Sequence, residues 1–161
     1  MKKNILLHSA CILTIIFSVI SVYYFNQPKR PLENNVCKST IHYRLNDSTN
    51  NFEYNIFISF NFTNSGIAYE HMRGLVIKDE KKHTIARNIK FTYQVRNNNN
   101  YEITVSDVNK LGPDNIPAHL ISKYFSYTLL NSLTLLKINE ISKHLVLVSG
   151  LQGPIFICSI S

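Results

Sequence analysis

Six histidines, His8, His42, His71, His83, His119 and His144, are the side chains best suited to bind a metal or move a proton near neutral pH. None stands at the H-x-x-x-H or H-E-x-x-H spacing that places two imidazoles on one helical face, and no Cys-x-x-Cys accompanies them. No metal and no cofactor is therefore expected. The nucleophile elbow G-x-S-x-G, the P-loop and the dinucleotide glycine pattern are all missing, and the carboxylates are too scattered to nominate an acid–base pair. Arg73 and Gly74 in the Met-Arg-Gly run, together with Asp107 and Asp114, look like exposed polar positions, and turn formation is the better reading of each. No catalytic residue is nominated and no enzyme is expected. A membrane-tethered hydrolase with an unfamiliar site is the weakest of the readings weighed.

Thiol chemistry is more informative. Outside an apolar N-terminal stretch that holds Cys11, the chain has two cysteines, Cys37 and Cys158, near the two ends of its remaining length. An even pair so placed suits one disulfide closing a domain in an oxidising compartment, with two unrelated buried thiols as the alternative. Cys11 would be a lipoprotein acceptor only after a small-residue box that starts on an apolar residue and an apolar core, but His8-Ser9-Ala10 precedes it and only Ile5, Leu6 and Leu7 could form that core.

The stretch Ile5 to Phe25 contains no Asp, Glu, Lys or Arg. Roughly 20 apolar residues at about 1.5 Å each match a hydrocarbon core about 30 Å thick, so it reads as a transmembrane helix. A cleavable signal has a shorter core and a small-residue site, for which Val19-Ile20-Ser21 is a poor substitute. Tyr23, Tyr24 and Phe25 at its end suit the membrane interface. Lys2 and Lys3 before the span nearly balance Lys29 and Arg30 after it, so the cysteine pair decides the orientation. The N-terminus is expected in the cytoplasm and the remainder outside it.

Residues 1–25 thus form a stub and anchor, 26–35 with Pro28 and Pro31 a tether, and 36–161 one domain. The formal charge of +7 invites a nucleic-acid reading, but four of the 17 basic residues flank the span, leaving 13 against 10 acidic ones. The Lys78, Lys81, Lys82 cluster contains Asp79 and Glu80 and reads as a hairpin tip. Direct nucleic-acid binding is not expected.

Period-two alternation dominates from Cys37 onward. Ile41, Tyr43 and Leu45 share a face, as do Phe52, Tyr54, Ile56, Ile58, Phe60 and Phe62, and Ile89, Phe91, Tyr93 and Val95. Ile67 to Ile77 is a weaker strand, broken over Glu70 to Gly74. Asn97 to Asn100 turns the chain into Tyr101, Ile103 and Val105. One helix is expected from Asn115 to Tyr124, capped by Asp114 or Asn115 with Pro117 in its first turn. Strands at Tyr127 to Leu130, Leu133 to Ile141, His144 to Ser149 and Ile155 to Ser159 complete the pattern. The fold class is α+β, mostly β: a transmembrane helix, then an antiparallel meander forming a curled sheet or partly closed barrel with one short helix. Ile155 to Ile157 should pair near Val36 to Ile41 and seal a sheet edge. Phe57, Tyr124, Phe125 and Tyr127 are surplus apolar groups that either pack or wait for a partner.

An anchor, a cysteine soon after it, RNIKFTYQV, DNIPAHLISKYFS and a closing GPIFICS together resemble the FidL-like bacterial inner-membrane proteins, over nearly the whole chain. The resemblance implies a periplasmic accessory domain, encoded beside membrane-bound regulators of the ToxR or CadC type and tuning or stabilising one. It supports Cys37 and Cys158 as framework residues and assigns no catalytic residue. The first functional reading is therefore an interaction protein with the lipid bilayer and such a regulator as partners. The second is a sensor holding a small apolar ligand between aromatic faces of the curled sheet.

Overall fold

The computed structural model describes residues 14–23, 32–47, 50–97 and 99–160. Residues 14–23 form α1, with the Ser18 hydroxyl bonded to the Ile15 carbonyl. Residues 5–13 of the expected span, Cys11 included, and its end at Tyr24 and Phe25 lie outside the described residues. Among the described residues no helix is long and apolar enough to cross a membrane. Tyr23, the described member of the expected interface group, is 67% exposed.

Eight antiparallel strands come next: β1 (Val36–Asp47), β2 (Asn50–Phe62), β3 (Ile67–Lys78), β4 (Lys81–Asn97), β5 (Asn100–Lys110), β6 (Leu133–Ser142), β7 (Leu145–Gly150) and β8 (Gly153–Ile160). Each pairs with the next and β8 returns to β1, so the sheet is a closed barrel. Closure goes beyond the expected curled or partly closed sheet. It ties the two outermost strands together over two paired positions and leaves the rest of their facing edges without ladder partners among the described residues.

The alternation explains the barrel wall directly. Phe52, Ile56, Ile58, Phe60 and Phe62 of β2, Ile89, Phe91 and Tyr93 of β4, and Tyr101, Ile103 and Val105 of β5 all point inward and are buried. Rings fill the lumen in contact, with Phe62 edge-on to Tyr93 and Tyr101 and Phe60 stacked on Phe91. Eight strands give an interior about wide enough for side chains to fill, and an inner void of about 10 Å³ lies among Leu32, Phe60, Phe62 and Ile138.

β3 is continuous where the sequence looked broken. Ala68, Glu70, Met72 and Val76 occupy its buried face, so Glu70 keeps the period while breaking the polarity. Gly74 lies within this strand rather than in a turn, and a Cβ there would collide with the carbonyl oxygen of Asn55. Asp79 and Glu80 make the two-residue turn to β4 with φ of 48° and 67°, as a type I′ hairpin requires.

Three further expectations are corrected. α2 spans Ala118–Tyr124, starting after Pro117 rather than at Asn115, and no side chain caps it, because Asp114 and Asn115 turn to β4 instead. Tyr127 to Leu130 is no strand: Ser126–Thr128 form a 3₁₀ turn held by Thr128 Oγ1 on the Phe125 carbonyl at 2.7 Å. Ile155 to Ile157 do not pair with β1, since β8 meets β1 through Cys37 with Ile160 and Lys38 with Ser159.

Up-and-down connectivity places alternate turns at opposite ends. β1 enters at the end that carries the β2–β3, β4–β5 and β6–β7 turns, while α2 and the β7–β8 turn at Leu151 and Gln152 lie at the other. At the entry end the last tether residues already pack on the barrel. Leu32 is buried in the core, Glu33 bridges to Phe62, and Asn34 N–H donates to the Phe62 carbonyl at 2.9 Å.

Candidate functional site

The far end of the barrel is closed by the segment between β5 and β6. Its attachment begins with Asp114, whose carboxylate accepts two bonds from Arg87, at 2.8 Å from Nε and 3.2 Å from Nη2, and a third from the Ala86 amide at 3.0 Å. Both side chains of this ion pair are buried, at 4% and 1% exposure. Asn115 continues the splice: its side-chain oxygen takes the Thr84 amide at 2.7 Å, and its own amide donates to the Thr84 carbonyl. The strap thereby extends β4 pairing beyond the end of β5. Asp114 is thus a buried clamp and not the exposed turn former its neighbours suggested.

From that strap α2 drops Leu120 and Ile121 into the core, and the aromatic run after them plugs the barrel mouth. Tyr124 stacks on Phe52 with centroids 3.6 Å apart, and Phe125 tilts against Phe52 and Tyr54. These surplus aromatics are mainly packing groups. Phe57, by contrast, stands on the outer face, 43% exposed.

Tyr127 follows and turns its hydroxyl inward. Its hydroxyl lies 3.5 Å from Oε1 of Glu70, which projects from β3 between Phe60 and Ile89 and is fully buried. Oε2 of Glu70 has no hydrogen-bond partner among the described residues. A carboxylate taken out of water without compensation favours its neutral form. Burial accordingly pushes the Glu70 carboxyl up to about 8, against a smaller lowering by the Tyr127 hydroxyl. Burial first, and Glu70 second, also raise Tyr127 well above the ordinary phenol range. At pH 7 the pair is mostly a neutral acid beside a neutral phenol.

Tyr127 also lines a surface opening, a cleft of about 880 Å³ formed with Tyr43, Tyr54, Leu133, Leu135, Leu151, Pro154 and Ile155 among others. The opening exists because two strand pairs are short: β5 joins β6 only from Asn100 to Thr104, and β1 joins β8 at two positions. Leu151 is 84% exposed on its rim. Tyr43 and Tyr54 stack at 5.2 Å along one wall, and burial raises the Tyr54 phenol with Tyr43 adding to it. Its lining combines apolar walls, three phenol groups and a few polar rim groups.

The described histidines and the cysteine pair singled out in the sequence lie apart from this cleft. His71 bonds Asn88 at 2.7 Å and His42 lies 3.9 Å from Glu53, both on the barrel exterior. Among the described residues no group of three or more His, Cys, Asp or Glu could hold a metal ion. Cys37 and Cys158 form a disulfide with Cα atoms 5.4 Å apart. Glu70 reads from the sequence as a break in the alternation, and its place in the inward phase of β3 is the signal that marks it as a buried acid.

The FidL-like putative membrane protein family profile matches residues 74–158, more than half of the chain. The chain belongs to that family. The matched stretch is narrower than the resemblance read from the sequence: it holds Arg87, Asp114, α2, Tyr127 and Cys158, but not Glu70 or Cys37. Membership supports a membrane location. No curated protein matches the chain.

Proposed function

We propose that this is a membrane-anchored accessory protein that acts by binding, its barrel standing outside the cytoplasm and modulating or stabilising a membrane-bound transcriptional regulator of the ToxR or CadC type. The observation that carries the binding reading is the 880 Å³ cleft at the barrel end opposite the one where β1 enters. The apolar stretch Ile5 to Phe25 supplies the span, with Tyr23, Tyr24 and Phe25 at the interface and the N-terminus in the cytoplasm. The Cys37–Cys158 bridge supports an oxidising, periplasmic setting. Assignment to a regulator rests on the family resemblance, and no catalytic role is proposed.

Two measurements test this reading. A reporter active only in the periplasm, fused after Ser161, should be active, while a cytoplasm-active reporter there should be silent. Crosslinking in native membranes should join the barrel to a membrane-bound regulator. A barrel that crosslinks to no protein in those membranes would remove the accessory role.

The same cleft favours a second reading, a small apolar ligand, because its Tyr43, Tyr54, Leu133 and Leu135 lining and its volume suit a drug-sized molecule. Mass spectrometry of organic extracts of the purified protein would reveal such a compound.

A further inference from the structure

β1 and β8 complete the barrel with two paired positions and then part. Backbone parity shows what the parting leaves. The Asp79 amide donates to the Asn51 carbonyl at 3.1 Å, so odd residues of β2 aim their backbone groups at β3 and even ones at β1. Tyr54 faces Tyr43 and Phe52 faces Leu45, so the odd residues of β1 are engaged by β2. The N–H and C=O groups of Thr40, His42 and Arg44 therefore point toward β8, where the described residues give them no ladder partner. On the other side the Ile160 amide bonds to the His144 carbonyl, so Ile157 and Ser159 aim at β1. Past Ser159 the seam is bridged by a side chain, the Ser39 hydroxyl on the Ile157 carbonyl at 2.7 Å.

Two strand edges facing one opening ask for extended backbone, which neither a lipid tail nor a small apolar molecule supplies. Charge narrows the choice further. The outer face of β1 along the seam carries Lys38, His42 and Arg44, opposed among the described residues by the single carboxylate of Glu53, 2.8 Å from Arg44 and 3.9 Å from His42. β8 adds the uncharged Ile155, Ile157 and Ser159. On the inner side Tyr43 and Tyr54 of the cleft wait for apolar groups.

We propose that the β1–β8 seam receives an extended polypeptide segment of the partner as an added strand, apolar side chains alternating toward Tyr43 and Tyr54 and acidic ones toward Lys38, His42 and Arg44. This rests on the proposed function for the existence of a protein partner and names how that partner is gripped. Main-chain hydrogen bonds would supply affinity, and the alternation would supply selectivity.

The test uses the full-length protein in detergent micelles and a capped peptide of alternating valine and glutamate. Amide hydrogen exchange over residues 39–46 should slow at least tenfold when the peptide is added. The same peptide N-methylated at alternate residues, which keeps its apolar groups and removes main-chain donors, should bind at least tenfold more weakly, as should a valine–lysine version. His42→Pro and Arg44→Pro remove a seam-facing N–H from an edge, where proline is tolerated, and should weaken binding at least tenfold with the disulfide intact. If these variants fail to fold, the N-methylated peptide on the unaltered protein decides. Equal binding of the N-methylated peptide, or unchanged exchange at millimolar peptide, overturns strand addition. A regulator that still crosslinks in membranes would then leave the accessory role standing without this mode of grip.

Discussion

The Glu70 carboxyl and the Tyr127 hydroxyl meet 3.5 Å apart inside the barrel mouth, joining a fully buried acid to a residue that lines the external cleft. Burial is the larger influence on Glu70 and raises its pKa from 4.5 to about 8. Below pH 4.5 both the folded and unfolded chains hold this proton, and above about 8 neither does. Between those values the unfolded chain has released a proton that the folded one keeps. Stability should therefore fall as pH rises across that window, at a limiting slope of about 1.4 kcal/mol per unit from this group. Urea midpoints for wild type and Glu70→Gln should diverge in favour of the glutamine variant as pH rises to 8. Parallel curves would assign the carboxyl another environment.

Removing the bridge between Cys37 and Cys158 should be costly, because it spans a sequence separation of 121 residues. Chain-entropy reasoning gives at most about 4–5 kcal/mol for such a loop, against a domain stability of about 5–15 kcal/mol. Cys37→Ser, Cys158→Ser and the double variant should lower steady-state protein levels to a similar degree. Thiol-alkylating mass tags on non-reducing gels check the bridge itself, and two free thiols in protein taken from cells would refute it.

Gly74→Ala should destabilise the barrel by about 1–3 kcal/mol, the usual cost of forcing atoms into a filled space. The added methyl has the Asn55 carbonyl and the Ile56 backbone in its way, neither of which can swing aside like a side chain. Arg73→Ala beside it, on the exposed face, should stay within about 0.5 kcal/mol. Thermal unfolding of the two variants side by side makes the comparison, and equal midpoints would contradict the packing account.

Asp114→Ala should cost about 3–5 kcal/mol, since it strands a buried guanidinium. Replacing both partners, Arg87→Leu with Asp114→Leu, should recover much of that loss. Limited proteolysis of the strap before α2 should accelerate in the single variant and return toward wild type in the double. A double variant as weak as the single would mean that the Ala86 amide bond, and not the charge pair, holds the strap.

The sequence by itself determined the wall of this protein. Alternation in FEYNIFISFNF, in Ile89 to Val95 and in Tyr101 to Val105 set which side chains face inward, because a one-residue slip would turn every apolar group to water. Two acidic residues between lysines marked the β3–β4 turn, and two well-separated cysteines marked the disulfide. What the tertiary structure alone decided depends on contacts between residues far apart in the chain. The cysteine pair already set the last strand beside the first, but the register of that closure, Cys37 with Ile160 and Lys38 with Ser159, is encoded by no local pattern. Asp114 looked like a cap until Arg87, 27 residues earlier, claimed its charge. Tyr127 read as strand because its residue type suits one, yet the strap turns it inward to meet Glu70, 57 residues away. The cleft itself comes from the shortness of the β5–β6 and β1–β8 pairings, a property of strand register around a closed ring that arises only once all eight strands are in place.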